Sequence, residues 1–229
     1  MNKFIESFYQ NFIENNRWKY LLTGLENTLL ITVFALLLGV FIGFLVAIIR
    51  ASHDKNGSFK FLNVICRIYL TVIRGTPTMI QVMITYYIIF ASVNVSKIVV
   101  AVMAFGINSG AYVAEIVRSG IMSIDPGQFE AGRSLGFNYG QTMRLIVMPQ
   151  AFKNVLPALG NEMIVLLKET SISGYVGTMD LTKGGDIIRS TTYEPFLPLF
   201  GVAAVYLVLV MLLTAGVNRL ERRLRTSER

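Results

Sequence analysis

Two stretches of this chain run without a charged residue for longer than a bilayer is thick, Leu29 to Ile49 and Phe196 to Val217. A helix of roughly 20 apolar residues crosses the hydrocarbon core, and it satisfies its own backbone hydrogen bonds on the way. Such runs restrict the fold to membrane-spanning helices. Composition agrees: of 229 residues, 53% are hydrophobic and 15% charged, with a mean hydropathy of +0.55, too apolar for an ordinary soluble domain. The expectation is an all-α integral membrane protein, one domain over 1–229, with five spans near 26–50, 61–91, 97–118, 151–173 and 196–218. The first twenty residues are polar and aromatic and do not read as a cleavable signal peptide.

Polar residues interrupt the three middle spans. The second holds Arg67, then Arg74-Gly75-Thr76-Pro77, then Gln81. Proline removes a donor and a mid-bilayer charge needs an interior face, so Arg74 to Pro77 marks a bend or break. The third carries Asn108, Ser109, Gly110, Tyr112 and Glu115. The fourth carries Pro157, Gly160, Asn161 and Glu162, then Lys168, Glu169 and Ser171. Side chains of this kind either bond neighbouring helices or line a path for a polar solute. Asn161 and Glu162 are the leading pathway candidates, followed by Asn108, Ser109, Lys168, Glu169 and Ser171. Gly39 and Gly43, four apart in the first span, predict close helix packing. Thr178 to Pro195 reads as a polar loop outside the bilayer.

Between the third and fourth spans lies a patterned polar piece, 125–149. It predicts two short helices. Asp125 caps the first, with Pro126 at its opening position and Gln128 closing a capping box; Gly136 stops it. Asn138 and Gln141 repeat the box for the second, and Pro149 ends it.

The Lys and Arg distribution orients the chain. With the C-terminus inside, twelve of the 21 fall on the inner side: Arg50, Lys55, Lys60, Arg118, Arg133, Arg144, Lys153, Arg219, Arg222, Arg223, Arg225 and Arg229. Six fall outside and Arg67, Arg74 and Lys168 lie within spans. The N-terminus is therefore expected outside, the C-terminus inside, and 125–149 on the inner face. The net charge of +7 marks these loops rather than nucleic-acid binding.

Enzyme classes find little support. One cysteine, Cys66, and one histidine, His53, leave no disulfide, metal cluster or nucleophile–base pair. No phosphate-cradling G-x-x-x-x-G-K-[ST] loop or G-x-S-x-G elbow occurs. No catalytic residue, metal or cofactor of its own is expected.

The spacing Glu130-Ala131-Gly132, three residues, Gly136, nine residues, Ile146, one residue, Met148-Pro149 resembles the signature loop of ABC importer permeases, with Gly132 for Ala and Met148 for Leu. The RGTP run with Gln81, the run Ser109 to Glu115, and the LPALGNE and LLKETS runs of the fourth span resemble the polar amino acid permeases of the histidine, glutamine, arginine and cystine type. The resemblance implies a type I importer permease fold in a bacterial cell membrane. Glu130, Ala131, Gly132, Gly136, Ile146, Met148 and Pro149 would shape the contact with a separate cytoplasmic ATPase, which binds ATP and Mg. An extracytoplasmic binding protein would deliver the amino acid, and a second permease protomer, identical or related, would complete the path. An ionised Glu162 in that path would favour a cationic amino acid. The alternatives are an ion channel, or a permease for another solute such as methionine or a peptide.

Overall fold

The computed structural model describes residues 3–226, except for the side chains at 55, 56, 225 and 226. Arg229, and the side chains of Lys55 and Arg225, counted above on the inner side, therefore lie outside what is described. The elements are all helical: α1 Lys3–Phe8, α2 Trp18–Asn56, α3 Lys60–Gly75, α4 Thr78–Ile84, α5 Lys97–Met122, α6 Gly127–Ser134, α7 Tyr139–Thr142, α8 Met148–Glu169, α9 Leu181–Thr192 and α10 Phe196–Thr226. Wider π turns follow α1, α4 and α7, at Tyr9–Ile13, Thr85–Ile89 and Met143–Val147, and a 3-10 turn, Thr170–Val176, follows α8.

The pair α2 and α5 forms the spine. Gly39 lies against Ser109 and Gly43 against Val113, where an added Cβ would sit 2.5 Å from Val113 Cγ1. Small residues let the two backbones approach, and van der Waals packing rather than water exclusion holds them. Ile31 and Ala35 of α2, Ala101 and Phe105 of α5, Val82 of α4 and Leu166 of α8 close the main core. Outward rows such as Leu37, Phe41 and Leu45 on α2 and Leu207, Met211 and Leu212 on α10 stay exposed, as side chains facing lipid or another subunit do.

Of the five expected spans, three stand out among the described residues as long and apolar enough by composition: Trp18–Asp54, Lys97–Met122 and Phe196–Leu224. The second is divided, with Thr78–Ile89 as its apolar half. The fourth, α8, carries Lys153, Glu162, Lys168 and Glu169. Each has one face packed against α5, where polar side chains find partners, and another that stays exposed.

The second span breaks at Thr76, whose backbone is extended at φ −125° and ψ 149°. Pro77 disfavours the helical region at the residue before it. The break leaves carbonyls unpaired, and the Gln81 amide fills them, donating to Ile73 O at 2.7 Å and to Thr76 O at 3.0 Å.

The 178–195 stretch is a helix rather than a loop over most of its length. Asp180 caps α9 by accepting from Lys183 N at 2.8 Å, and Ser173 Oγ donates to it at 2.9 Å. Sequence polarity suggested a loop because α9 is short and polar. What makes it a helix is the cap and a glycine face: at Gly184 a Cβ would lie 2.5 Å from Tyr20 O, so α9 can lie flat on α2. Thr28 and Asn27 complete the seam, bonding Leu181 N and Met179 O. Burial pushes the Asp180 carboxyl above its ordinary range, against the opposing pull of these donors.

Candidate functional site

Two regions concentrate the polar chemistry, the 125–149 piece and a cleft among α3, α5 and α8. In the first, α6 ends in a double turn. Phe137 N bonds Gly132 O at 3.0 Å and Gly136 N bonds Arg133 O at 2.9 Å, with Gly136 left-handed at φ +79°. This is a Schellman closure, which needs a residue free of the Cβ penalty at that position. The second helix opens on Asn138 with both arms of the capping box formed: its side chain accepts from Gln141 N, and Gln141 Oε1 accepts from Asn138 N, each at 2.9 Å.

Two of the expected helix limits are corrected. Asp125 accepts from Gly127 N at 2.7 Å, and Gln128 does not close a box with it. Gln128 Oε1 instead accepts from Gln150 Nε2 at 3.0 Å, tying the first helix to the root of α8. Nor does Pro149 end the second helix. The wider π turn at Met143–Val147, closed by Met148 N on Met143 O, places Pro149 in the first turn of α8, where a missing donor is no loss. Chain from Tyr139 to Glu169 is therefore helical throughout.

Within this piece Glu130, Ala131, Gly136 and Pro149 are exposed, while Ile146 and Met148 are half-buried. Gly132 is buried against Thr142, whose Cγ2 would stand 2.5 Å from an added Cβ. Phe129 stacks on Tyr139 across the pair, with ring centroids 6.0 Å apart. Ile124, Val147 and Ala151 seat the unit beneath α5 and α8.

The second region is a cleft of about 580 Å³ lined by Arg74, Tyr112, Glu115, Ser119, Asn154 and Glu162, among others. Glu162 is half-buried there and accepts from Ser109 Oγ at 2.8 Å. Arg74 meets Glu115 at 3.4 Å, and Arg118 approaches the other oxygen of that carboxylate at 3.7 Å. The Arg74 guanidinium stands 5.9 Å from the Tyr112 ring centroid. Asn108 donates to Gln81 Oε1 at 2.8 Å, which links the broken second span to α5 one residue from Ser109.

The structure thus brings Glu162, Ser109, Asn108 and Arg74 to one neighbourhood. It does not bring the rest there. Asn161 is exposed and does not line the cleft, while Glu169 is half-buried two helical turns beyond Glu162. Lys168 and Ser171 line a different hollow of about 320 Å³ with Thr182 and Tyr206. Sequence reasoning named Tyr112 and Glu115 only among the polar residues of the third span, not as site candidates, and passed over Ser119, Ser123, Asn154 and Ala158. Their spacing was the signal: positions 112, 115 and 119 on α5 with 123 at its C-terminal cap, and 154, 158 and 162 on α8, each repeat at one helical face. No group of three metal-ligating side chains occurs among the described residues.

Residues 39–226 match the family described as binding-protein-dependent transport system inner membrane component. A putative glutamine transport system permease protein of Rickettsia typhi is 36% identical over 228 residues, covering 98% of this chain and 99% of its own. An arginine transport system permease protein of Bacillus subtilis is 36% identical over 91% of this chain and 94% of its own. A solved structure of an amino acid ABC transporter with histidines is 40% identical with a TM-score of 0.84, over 93% of this chain and 98% of that one. By sequence and fold together, this chain belongs to the family of binding-protein-dependent transport system inner membrane components, as an ABC importer permease subunit.

Proposed function

We infer that the chain is the membrane-spanning permease subunit of an ATP-driven importer for polar amino acids. It is a transport subunit, not an enzyme, with no cofactor of its own; ATP and Mg belong to the partner ATPase. Family membership implies three partners: an ATPase, a solute-binding protein and a second permease protomer. The inner-membrane setting comes with the family, and the basic loops favour an N-terminus outside. The exposed edge of 125–149, with Glu130, Ala131, Gly136 and Pro149, is the surface offered to the ATPase. Closure of the ATPase pair then displaces α6 and α7, and because α7 continues into α8, the displacement rocks the wall that carries Glu162. Two protomers rocking as rigid bodies alternate access to the path between them.

One observation carries the solute assignment. Glu162 faces the cleft with a neutral hydroxyl as its hydrogen-bond partner, whereas Glu115 is already held by two guanidiniums. An amino acid presents an ammonium, a carboxylate and a side chain, and the cleft offers an acid, a base and an aromatic face in Glu162, Arg74 and Tyr112. A spare acid favours a cationic side chain such as that of arginine. The test is uptake of labelled arginine and glutamine by the importer reconstituted in vesicles. E162Q is expected to lower arginine uptake about tenfold more than glutamine uptake, the effect of one charge-assisted contact. Equal loss of both overturns charge selection by Glu162.

A further inference from the structure

A second cleft, of about 430 Å³, opens between α2 and α3, lined by Arg50, Arg67, Leu70, Thr71, Arg74 and Gly75. It contains three guanidiniums and no carboxylate. Arg74 has its partner in Glu115, outside this lining. Arg50 and Arg67 make no ion pair among the described residues, and Arg50 Nε is buried without any hydrogen-bond partner. Guanidiniums are readily accommodated beside one another only where an anion lies between them.

Depth and surroundings say which anion. Arg50 is the residue that closes the charge-free run Leu29 to Ile49, so it stands where hydrocarbon gives way to headgroups. The amphipathic helix α3 divides into three faces. Asn63, Cys66 and Leu70 are buried against α2 and α5. Val64, Ile65, Ile68 and Val72 are exposed apolar side chains. Arg67, Thr71 and Arg74, at positions i, i+4 and i+7, form the basic face. The basic cleft is thus bordered by a surface suited to acyl chains, a combination a free amino acid has no use for.

We propose that the Arg50–Arg67 end of this cleft is a binding site for the phosphate headgroup of an anionic phospholipid, whose chains lie along the Val64–Ile68 face of α3. Guanidinium pairs phosphate with two parallel hydrogen bonds, and basic pockets between spans take anionic headgroups. The Arg74 guanidinium borders both this cleft and the one holding Glu162, so the lipid and the solute path share a wall. The assignment stands apart from the choice of solute and does not depend on it.

Native mass spectrometry of the assembled importer, titrated with phosphatidylglycerol or with phosphatidylcholine of the same chains, tests it. Wild type is expected to retain phosphatidylglycerol preferentially, and Arg50→Gln/Arg67→Gln to lose roughly thirtyfold of that preference, since each basic residue at a membrane surface contributes about fivefold. Arg67→Lys, which keeps the charge, is expected to hold more of the preference than Arg67→Gln. If the double variant fails to assemble, that pair of single variants gives the same reading. Unchanged preference in Arg67→Gln and the double variant overturns the site. Displacement of the retained lipid by millimolar inorganic phosphate overturns the lipid as its occupant, and displacement by millimolar arginine reassigns the cleft to the solute.

Discussion

Gly132 stands where the importer signature has alanine, and the structure gives the departure a physical cause that one substitution exposes. An alanine Cβ at position 132 would lie 2.5 Å from Thr142 Cγ2, 2.6 Å from Oγ1 and 3.0 Å from Cβ. Thr142 is buried, β-branched and held by its hydroxyl on Asn138 O at 3.0 Å, so it has little freedom to turn aside. The α6–α7 pair must open instead. Overpacking of this kind costs about 1–3 kcal/mol. Removing the obstruction with Thr142→Ala should restore most of that, less about 1 kcal/mol for the lost hydroxyl bond. The expected coupling between the two sites is therefore favourable by about 1–2 kcal/mol. Thermal inactivation of the purified importer and ATP-driven uptake in vesicles both read it: Gly132→Ala impaired in each, Gly132→Ala/Thr142→Ala closer to Thr142→Ala alone. A neutral Gly132→Ala, or a double variant as poor as the sum of its parts, refutes the packing argument.

Gly136→Ala meets no atom within 4 Å, so its effect comes from φ of +79° alone, about 1–2 kcal/mol, and should appear as weakened ATPase binding with the spans intact. Gln81→Ala strips the donor from Ile73 O and Thr76 O and the acceptor from Asn108 Nδ2; an expected loss of about 1–3 kcal/mol should show as faster hydrogen exchange on both sides of the break. Asp180→Ala removes the α9 cap, costing about 1 kcal/mol, whereas Asp180→Asn keeps an acceptor. Because burial raises the Asp180 pKa in the fold, its contribution is favourable at low pH and is lost as pH climbs from the ordinary carboxylate range through the raised value. Asp180→Asn should abolish that part of the pH dependence of thermal inactivation.

Much of the architecture was legible because the bilayer permits so little. The charge-free runs around Leu29–Ile49 and Phe196–Val217 announce α2 and α10 without any partner information, and the Asn138/Gln141 box and Gly136 are local rules executed locally. The errors arose where neighbours decide. Pro149 looks like a terminator until a π turn moves it into a first helical turn, and Gln128 is diverted from its own cap by Gln150, more than twenty residues on. Thr178 to Pro195 lacks an apolar stripe of the usual width, and its helix depends on glycine contact with α2. In the cleft, Glu162 was visible as a charge in a span, but Tyr112, Glu115 and Asn154 are ordinary polar residues until two helices face each other. Lys168 and Ser171 sit on the same span yet turn toward α9 and α10, which no one-dimensional pattern discloses.

The central claim is that the α6–α7 pair transmits force from a separate ATPase to α8. Leu135 is 69% exposed at the tip of that pair, beside Gly136. A photo-crosslinking side chain placed at position 135 in the reconstituted importer tests the contact directly. The account predicts a single adduct, to the ATPase subunit, whose yield changes with ATP, and no labelling of position 135 from the outer face. An adduct to the solute-binding protein, or nucleotide-driven uptake that proceeds with no contact from position 135 to the ATPase, contradicts it.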